Sequence, residues 1–302
     1  MLDANTNTMD ELLRRGDIAL YRAKREGKGQ CVVYKPAMDN EDAGLTASAI
    51  EEALRSDEFY LVYQPICDSA TRQVRSVEAL LRWRHPKRGL VGPSEFIPVA
   101  ERSSVIHELG AWVLERACKD AASWPQDVQV AVNLSPKQFE RPDQLRTAIR
   151  SALQTSGLRA RRLIVEITES VLLQQDRSIE ILQPIQDEGL TIALDDFGKG
   201  YASLDYLRRF RFDKLKIDRS FIADMATSAH CATIVSGILE LSRRLGIHTV
   251  AEGVEASGQI AELCELGCSE VQGFAIGEPV RRDLVPTFFR LKAPDETSRQ
   301  AN

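Results

Sequence analysis

The sequence lacks the features that mark membrane, secreted and nucleic-acid-binding proteins. Its 302 residues contain no apolar run near the roughly 18 to 20 residues of a membrane helix. Met1–Thr8 shows no basic end followed by an apolar stretch, so no signal peptide is predicted. Lysine and arginine total 39 against 44 acidic residues, and the net charge of −5 argues against general DNA or RNA binding. We therefore expect a cytoplasmic segment that contacts neither a membrane nor a nucleic-acid polymer, with any membrane anchor upstream in a longer parent protein.

Cysteine and histidine are too few and too scattered to predict a zinc site or a disulfide framework. Of the six cysteines only Cys264 and Cys268 lie four residues apart, and no histidine or second cysteine pair joins them. The four histidines show no ligand spacing, and His107 lacks the second histidine of a zinc protease because residue 111 is alanine. The segment Gly198–Ser203 lacks the third glycine of a dinucleotide loop and does not open a βαβ unit. The sequence thus offers no soft-ligand metal site and no dinucleotide site.

From about residue 45, short β-rich runs alternate with amphipathic helical runs, which predicts a largely parallel sheet. The predicted strands are Phe59–Ile66, Val74–Leu81, Val128–Leu134, Leu163–Thr168, Thr191–Asp195, Lys214–Ile217, His248–Ala251 and Glu270–Gln272. The predicted helices are Pro93–Glu101, Val105–Ser123, Pro136–Ser156, Ser178–Glu188, Leu204–Phe210, Ala232–Leu245, Gly258–Leu266 and Asp283–Leu291. About eight strands in roughly 250 residues predict an α/β fold, a modified TIM (β/α)8 barrel. The stretch Asp68–Gln73 is too short for a parallel crossover, so we expect the first two strands to be antiparallel.

The two ends of the chain differ from the barrel pattern. Asp10–Gly27 predicts a helix and Cys31–Tyr34 a short strand, followed by a polar linker at 38–44. One helix and one strand cannot form a core alone. Residues 1–37 are therefore either an extension packed on the main domain or the remnant of a domain that lies upstream. The barrel is expected over residues 45–292, and the polar tail 293–302 is expected to be disordered.

Polar side chains stand at the ends of predicted strands, where a buried parallel strand should remain apolar. They come from six segments, and one lysine is among them: Glu78, Asn133, Glu166, Asp195 with Asp196, Lys216 with Asp218, and Glu252. Each alone could cap the next helix, but together they meet at the C-terminal ends of the strands, where barrel active sites lie. Clustered carboxylates require protons or metal ions, and hard oxygen ligands suit Mg²⁺ or Mn²⁺. More than three carboxylates leave room for two ions, a known device for displacement at phosphorus.

Several motifs in matching order resemble one known family. Glu78-Ala79-Leu80, within Glu-Ala-Leu-Leu-Arg-Trp, is the signature of the EAL-domain family of cyclic di-GMP phosphodiesterases. The further matches are Tyr63-Gln64-Pro65, Asn133–Pro136, Glu166–Glu169, Asp195–Gly198, Lys216–Asp218, Ala251–Glu255 and Gln272–Phe274. The resemblance covers essentially all of Leu45–Leu291, and the family's fold is a modified barrel with an antiparallel strand in its first pair. In addition, Gly16–Tyr34 resembles the last helix and strand of a GGDEF domain whose signature loop is absent, so residues 1–37 are expected to be its remnant.

The resemblance implies a role for each of the strand-end residues. The implied ligands of two divalent cations, Mg²⁺ or Mn²⁺, are Glu78, Asn133, Glu166, Asp195, Asp196 and Glu252. The implied catalytic residues are Lys216, which would orient the attacking water and stabilise charge, with Glu252 and Glu78. The implied substrate contacts are Gln64, Arg82, Asp218 and Gln272, with Arg82 holding a phosphate. Glu169 would steady the loop Phe197–Leu204, which the family ties to metal binding and dimerisation.

The implied activity is hydrolysis of cyclic di-GMP to linear pGpG by attack of a metal-activated water, in a homodimer. Two alternatives stay open: a catalytically silent receptor for cyclic di-GMP, and a barrel hydrolase for another phosphoester. Degenerate family members usually lose metal ligands or the loop after the paired aspartates, and both are present here, which favours the enzyme. One departure follows Gln272–Phe274, where Glu278 replaces the residue that is commonly basic before the proline. This acid predicts weaker binding of an anionic ligand.

Overall fold

The computed structural model describes residues 15, 19, 31–35, 45–174, 178–198, 204–225 and 227–289. The chain divides into two compact units, residues 1–52 and 53–302. The linker 38–44, the tail 293–302 and most of the predicted helix Asp10–Gly27 lie outside the described residues. No helix within those ranges combines the length and apolarity that a membrane crossing requires.

The strand predicted at Cys31–Tyr34 is wrong, because residues 31–35 have no regular secondary structure. A strand is stabilised by backbone hydrogen bonds to a neighbouring strand. Among the described residues of the first unit no other strand offers such a partner, and Val33 is 73% exposed. An apolar β-branched run alone therefore did not suffice to form the element.

Ten strands make up the sheet of the second unit. They are β1 (Phe59–Asp68), β2 (Val74–His85), β3 (Gly89–Val91), β4 (Gln129–Asn133), β5 (Leu163–Thr168), β6 (Thr191–Phe197), β7 (Lys214–Ile217), β8 (His248–Ala251), β9 (Glu270–Gln272) and β10 (Val280–Arg281). Eight of them close into a ring in the order β1, β2, β4, β5, β6, β7, β8, β9 and back to β1. Strands β3 and β10 extend β2 and β1 outside this ring. The predicted eight-stranded barrel is confirmed.

Strand β1 is the one antiparallel member of the ring. It runs antiparallel to both β2 and β9, while the other neighbours in the ring are parallel. The turn into β2 is tight because Asp68 Oδ1 accepts hydrogen bonds from Thr71 N at 2.8 Å and Thr71 Oγ1 at 2.9 Å. The antiparallel first pair predicted from the short connection is therefore confirmed.

One helix, α1 (Ala47–Arg55), precedes β1. The helices that follow the strands and cover the outside of the barrel are α2 (Pro93–Glu101), α3 (Val105–Ala121), α4 (Pro142–Ser156), α5 (Glu169–Gln174), α6 (Ser178–Asp187), α7 (Leu204–Arg209), α8 (Arg219–Met225), α9 (Ala229–Leu245), α10 (Ser257–Glu265) and α11 (Val285–Phe288). Three short 3₁₀ turns are Pro136–Glu140, Ala160–Arg162 and Arg282–Leu284. The buried apolar side chains of these helices and the outward side chains of the strands form the core between the two layers.

Small side chains leave space at the centre of the barrel beside two of the predicted acids. In the sheet register Glu78 lies beside Ala131, and Glu166 lies beside Ala193. Residues at the same level of neighbouring strands project to the same face of the sheet. Ala131 and Ala193 are both fully buried, so their methyl groups line the space into which the carboxylates extend.

Candidate active site

Four carboxylates surround the ammonium group of Lys216 at the centre of the barrel. Lys216 Nζ lies 2.7 Å from Glu252 Oε1, 3.0 Å from Glu166 Oε2, 3.3 Å from Glu78 Oε2 and 3.4 Å from Asp195 Oδ1. The lysine side chain is only 1% exposed. Strands β2, β5, β6 and β7 carry four of the five residues, and Glu252 directly follows β8. The closed ring thus brings together acids that lie far apart in the sequence.

Three of the four acids of this cluster hold protons more tightly than free carboxyl groups do. Burial raises the pKa of Glu166 well above its usual range, with Lys216 acting against it and Glu78 adding repulsion. Burial likewise raises the pKa of Glu252 to about 7, and it raises the pKa of Asp195. Burial disfavours the charged Lys216, but the surrounding carboxylates outweigh it and raise the lysine pKa well above its usual range. One cation shared by four acids leaves the site able to accept further positive charge.

Glu78 differs from the other acids because its carboxylate is held by neutral donors. Asn133 Nδ2 donates to Glu78 Oε1 at 2.7 Å, and Gln272 Nε2 donates to Glu78 Oε2 at 2.6 Å. Burial acts to raise the pKa of Glu78, but Lys216 and these two hydrogen bonds outweigh it and leave the pKa lowered. Gln272 Oε1 is buried and has no hydrogen-bond partner within the described ranges. Glu78 therefore remains ionised, beside an amide oxygen whose hydrogen-bonding capacity is unused.

Two consecutive aspartates face the same site at the end of β6. Successive side chains of a strand normally point to opposite faces. Here the register shifts between Leu194 and Phe197, and Asp196 has the left-handed φ of 57° while its amide donates to Asp195 Oδ1 at 2.9 Å. As a result, one ligand oxygen from each of Asp195, Asp196 and Glu252 lies within 4.8 Å of the others. This set of hard oxygen donors fits a divalent cation such as Mg²⁺ or Mn²⁺.

Glu169 binds the backbone where the loop after the paired aspartates begins. Its Oε1 accepts a hydrogen bond from Gly198 N at 2.7 Å. Burial raises the pKa of Glu169, with the Gly198 hydrogen bond acting against it. Gly198 has φ of 100°, and a Cβ there would overlap the ring of Phe221, so the position requires glycine. Residues 199–203, the middle of the predicted loop, lie outside the described residues.

A cavity of about 230 Å³ opens above the cluster. Four of its lining residues are among those predicted: Gln64, Glu78, Glu252 and Gln272. The sequence pattern did not assign roles to the others, which are Arg219, Gly253, Glu255, Gly273 and Phe274. Each of these lies one to three residues beyond a predicted site residue, in the segments that follow β7, β8 and β9. Position just after a polar strand end is the signal that could have identified them.

Two predicted substrate contacts lie outside this cavity. Arg82 Nη1 donates to Leu81 O at 2.8 Å, and Arg82 is paired with Tyr60 in the β1–β2 ladder. Asp218 is 1% exposed, and its Oδ1 accepts from Ser220 N at 3.0 Å and from Ser220 Oγ at 2.6 Å. Neither residue is among those lining the cavity. Their roles in binding substrate stay predictions.

The chain is similar to several known bacterial proteins. It is 46% identical over 279 residues to the protein y4lL of Sinorhizobium fredii, covering 90% of this chain and 33% of that protein. It is 39% identical over 281 residues to the bifunctional diguanylate cyclase/cyclic di-GMP phosphodiesterase MucR of Pseudomonas aeruginosa, covering 90% of this chain and 41% of MucR. The chain thus spans about a third to two-fifths of the length of these relatives.

A solved structure and a family model indicate the same family as these relatives. The structure of the MucR phosphodiesterase in complex with c-di-GMP superposes with a TM-score of 0.75 at 40% identity, covering 79% of this chain and 98% of that one. The model of the EAL domain matches residues 47–279. This range contains the closed barrel and every residue of the cluster around Lys216. The chain therefore belongs to the EAL domain family.

Proposed function

We propose that this chain hydrolyses cyclic di-GMP to linear pGpG with the help of two divalent cations, Mg²⁺ or Mn²⁺. The observation that carries the proposal is the convergence of four carboxylates on Lys216 beneath an open cavity. Relatives whose names state cyclic di-GMP phosphodiesterase activity support the choice of substrate. The complete set of predicted acids favours an enzyme over a silent receptor.

The cations would be held by the oxygen donors of the cluster. Asp195, Asp196 and Glu252 offer oxygens within 4.8 Å of one another. The amide group of Asn133 is oriented by its bond to Glu78, and its oxygen makes no hydrogen bond within the described part of the chain. When bound, such cations would lower the pKa of a coordinated water towards neutral pH and would neutralise negative charge on a phosphodiester.

The side chains around Lys216 perform the rest of the proposed chemistry. Lys216 is charged and buried, so it would stabilise the negative charge that develops on the phosphoryl oxygens during attack. Without cations, burial raises the pKa of Glu252 to about 7, and its carboxylate would accept a proton from the attacking water. Gln64 and Gln272 line the cavity. Gln64 Nε2 donates one hydrogen to Gly277 O and would donate the other to the substrate, while the unused Gln272 Oε1 would accept a hydrogen bond from it. The water oxygen would bond to phosphorus as the bond between phosphorus and the 3′-oxygen breaks, and the proton that Glu252 takes from the water would pass to that 3′-oxygen, which leaves as a hydroxyl.

The proposal is tested by incubating the purified chain with cyclic di-GMP and Mg²⁺ or Mn²⁺ and measuring pGpG by chromatography. We expect turnover by the wild type and a loss of at least about 100-fold in Glu78→Gln, because removal of one charge at a catalytic centre commonly costs that much. The matched control is Glu115→Gln, since Glu115 is exposed on α3 and belongs neither to the cluster around Lys216 nor to the lining of the cavity.

Three outcomes separate the alternatives. Metal-dependent turnover by the wild type and Glu115→Gln, with the loss confined to Glu78→Gln, supports the phosphodiesterase. Binding of cyclic di-GMP without turnover favours the silent receptor. Neither binding nor turnover contradicts the proposal and favours a hydrolase for another phosphoester.

We also propose that the chain acts as a homodimer, and that residues 1–37 derive from a GGDEF domain. The family resemblance in the loop Phe197–Leu204 and in Gly16–Tyr34 supports these two assignments. Light scattering over a range of concentrations tests the first, and a monomer at every concentration would contradict it.

A further inference from the structure

Arg219 is a cationic side chain at the cavity that the chemistry above does not use. It is the first residue of α8 and directly follows Asp218 at the end of β7. It lines the cavity beside Glu78, Glu252 and Glu255. Among the residues that line this cavity, all of which the structure describes, it is the one with a positive charge.

The backbone at Arg219 is fixed from both sides. On one side, Asp218 Oδ1 accepts hydrogen bonds from Ser220 N at 3.0 Å and Ser220 Oγ at 2.6 Å, which closes the turn around residue 219. On the other side lies Gly253, with φ of 66°, where a Cβ would overlap the Cβ of Arg219. The start of α8 and the loop after β8 are therefore in direct contact. Arg219 is held against the same loop that carries Glu252.

The glutamates nearby do not neutralise this arginine. Glu78 and Glu252 both form ion pairs with Lys216, at 3.3 and 2.7 Å. Arg219 itself forms no ion pair or side-chain hydrogen bond with any residue in the part of the chain that the structure describes. An unpaired guanidinium keeps all its donors for a ligand, and its planar fork matches two oxygens of a phosphate.

We propose that Arg219 binds the second phosphodiester of the substrate, the one that is not being cleaved. This inference rests on the proposed hydrolysis of cyclic di-GMP. A cyclic dinucleotide carries two phosphodiesters, and the cleaved one must reach the carboxylates around Lys216. The other must then contact another part of the cavity wall, where Arg219 provides the cation. Such a contact stabilises bound substrate and transition state equally, so it lowers KM and leaves kcat nearly unchanged.

The test compares two substrates that differ in the number of phosphodiesters. Cyclic di-GMP has two, and bis(p-nitrophenyl) phosphate has one. We expect Arg219→Gln to raise KM for cyclic di-GMP roughly 10- to 100-fold, the value of a hydrogen bond to a charged group, with kcat within about twofold. The same variant should hydrolyse bis(p-nitrophenyl) phosphate as the wild type does. Arg219→Lys should restore part of the affinity, because it keeps the charge and loses the fork.

The control variant is Arg159→Gln, since Arg159 is exposed and does not line the cavity. An unchanged KM for cyclic di-GMP in Arg219→Gln overturns the proposal, and so does an equal loss on both substrates, which indicates damage to the catalytic centre. If the wild type binds cyclic di-GMP without turnover, the proposed hydrolysis is wrong but the proposed role of Arg219 is still testable. Calorimetric affinities of wild type and Arg219→Gln for cyclic di-GMP then decide that role. Absence of binding by the wild type overturns both.

Discussion

Lys216 determines how much negative charge the centre of the barrel can hold. Its ammonium group lies within 3.4 Å of an oxygen from each of four acids. Removing one partner of a buried ion pair leaves the other charges uncompensated, which is far more costly than losing an exposed pair. The lysine is therefore a structural requirement of the site as well as a candidate for catalysis.

We expect Lys216→Met to lower the free energy of unfolding by about 3 to 5 kcal/mol at pH 8 without divalent cations. The loss should be smaller at pH 5.5. An acid whose pKa is raised in the folded state binds its proton more tightly there than in the unfolded chain. The bound proton therefore stabilises the fold at low pH, and this stabilisation is lost as the pH rises from the unfolded pKa of 4.5 to the folded pKa, about 7 for Glu252. At pH 5.5 protons neutralise part of the acid charge that Lys216 no longer compensates in the variant. Urea unfolding at the two pH values measures both effects.

The control for this variant is Lys119→Met, which removes an exposed lysine from α3. The double variant Lys216→Met with Glu166→Gln should recover part of the lost stability, because one of the unpaired acids becomes neutral. A stability of Lys216→Met that matches the wild type at pH 8 would show that the acids do not depend on the lysine.

At the same scale, the sequence predicted which acids would meet but not how they would be oriented. Polar residues after apolar runs identified Glu166, Asp195 and Glu252, since strand ends are recognisable by composition. Strand alternation predicts that Asp195 and Asp196 point to opposite faces of the sheet. They point to the same site because the register shifts near the end of β6. Arg219 was not predicted, because a single arginine after a strand is usually a solvated side chain and its position just after a polar strand end was the one signal it offered.

At the scale of elements, the short turn between β1 and β2 determines the direction of β1. Asp68 Oδ1 accepts hydrogen bonds from Ala70 N, Thr71 N and Thr71 Oγ1, at 3.1, 2.8 and 2.9 Å, and Oδ2 accepts from Arg75 Nη2 at 3.2 Å. A carboxylate that accepts from successive backbone amides mimics a backbone turn. This side chain holds the two strands that carry Gln64 and Glu78 side by side.

We expect Asp68→Ala to cost about 1 to 2 kcal/mol of stability at pH 7, the usual value of a lost capping carboxylate. Burial acts to raise the pKa of Asp68, but the hydrogen bonds from Thr71 and Arg75 outweigh it and lower the pKa below its usual 3.8. An acid with a lowered folded pKa stabilises above the unfolded value and loses this effect as the pH falls through the folded value. The difference between wild type and variant should therefore shrink below pH 3.8.

Chemical denaturation at pH 7 and at acid pH measures this difference, with Glu115→Ala as the control acid that makes no such hydrogen bonds. A cost that stays constant down to acid pH would mean that the Asp68 side chain acts through its shape and not through its charge.

The boundaries of helices and strands were predictable where the sequence changes abruptly from apolar to polar residues. Strands Lys214–Ile217 and His248–Ala251 match the prediction because polar residues bracket each apolar run. The predicted helix Pro136–Ser156 instead divides into a 3₁₀ turn and α4, because Pro142 disfavours the helical conformation at Arg141, which has φ of −127° and ψ of 68°. Helices α5 and α8 were not predicted, since segments of 6 and 7 residues that begin at a strand end are too short to show helical periodicity.

At the scale of the whole molecule, closure of the ring creates the site. Glu78 and Gln272 are 194 residues apart in sequence, yet their side chains are joined by a hydrogen bond of 2.6 Å. No local pattern specifies that contact. It arises because β1 pairs with both β2 and β9 and so closes the ring between the first and last strands. Stability of the barrel and assembly of the site are therefore coupled.

This coupling predicts that divalent cations stabilise the whole barrel against unfolding. A ligand that binds only the folded state adds about 2.7 kcal/mol at 100 times its Kd, which corresponds to roughly 5 to 10 °C in Tm for a barrel of this size. We expect Mg²⁺ or Mn²⁺ added to chelator-treated protein to give such a shift by calorimetry. Asp196→Asn should lose most of it, because Asp196 contributes one of the three clustered oxygens, while Glu115→Gln should keep it. An equal shift from NaCl at matched ionic strength, or an undiminished shift in Asp196→Asn, would assign the effect to screening of surface charge and remove this support for a cation site at the barrel centre.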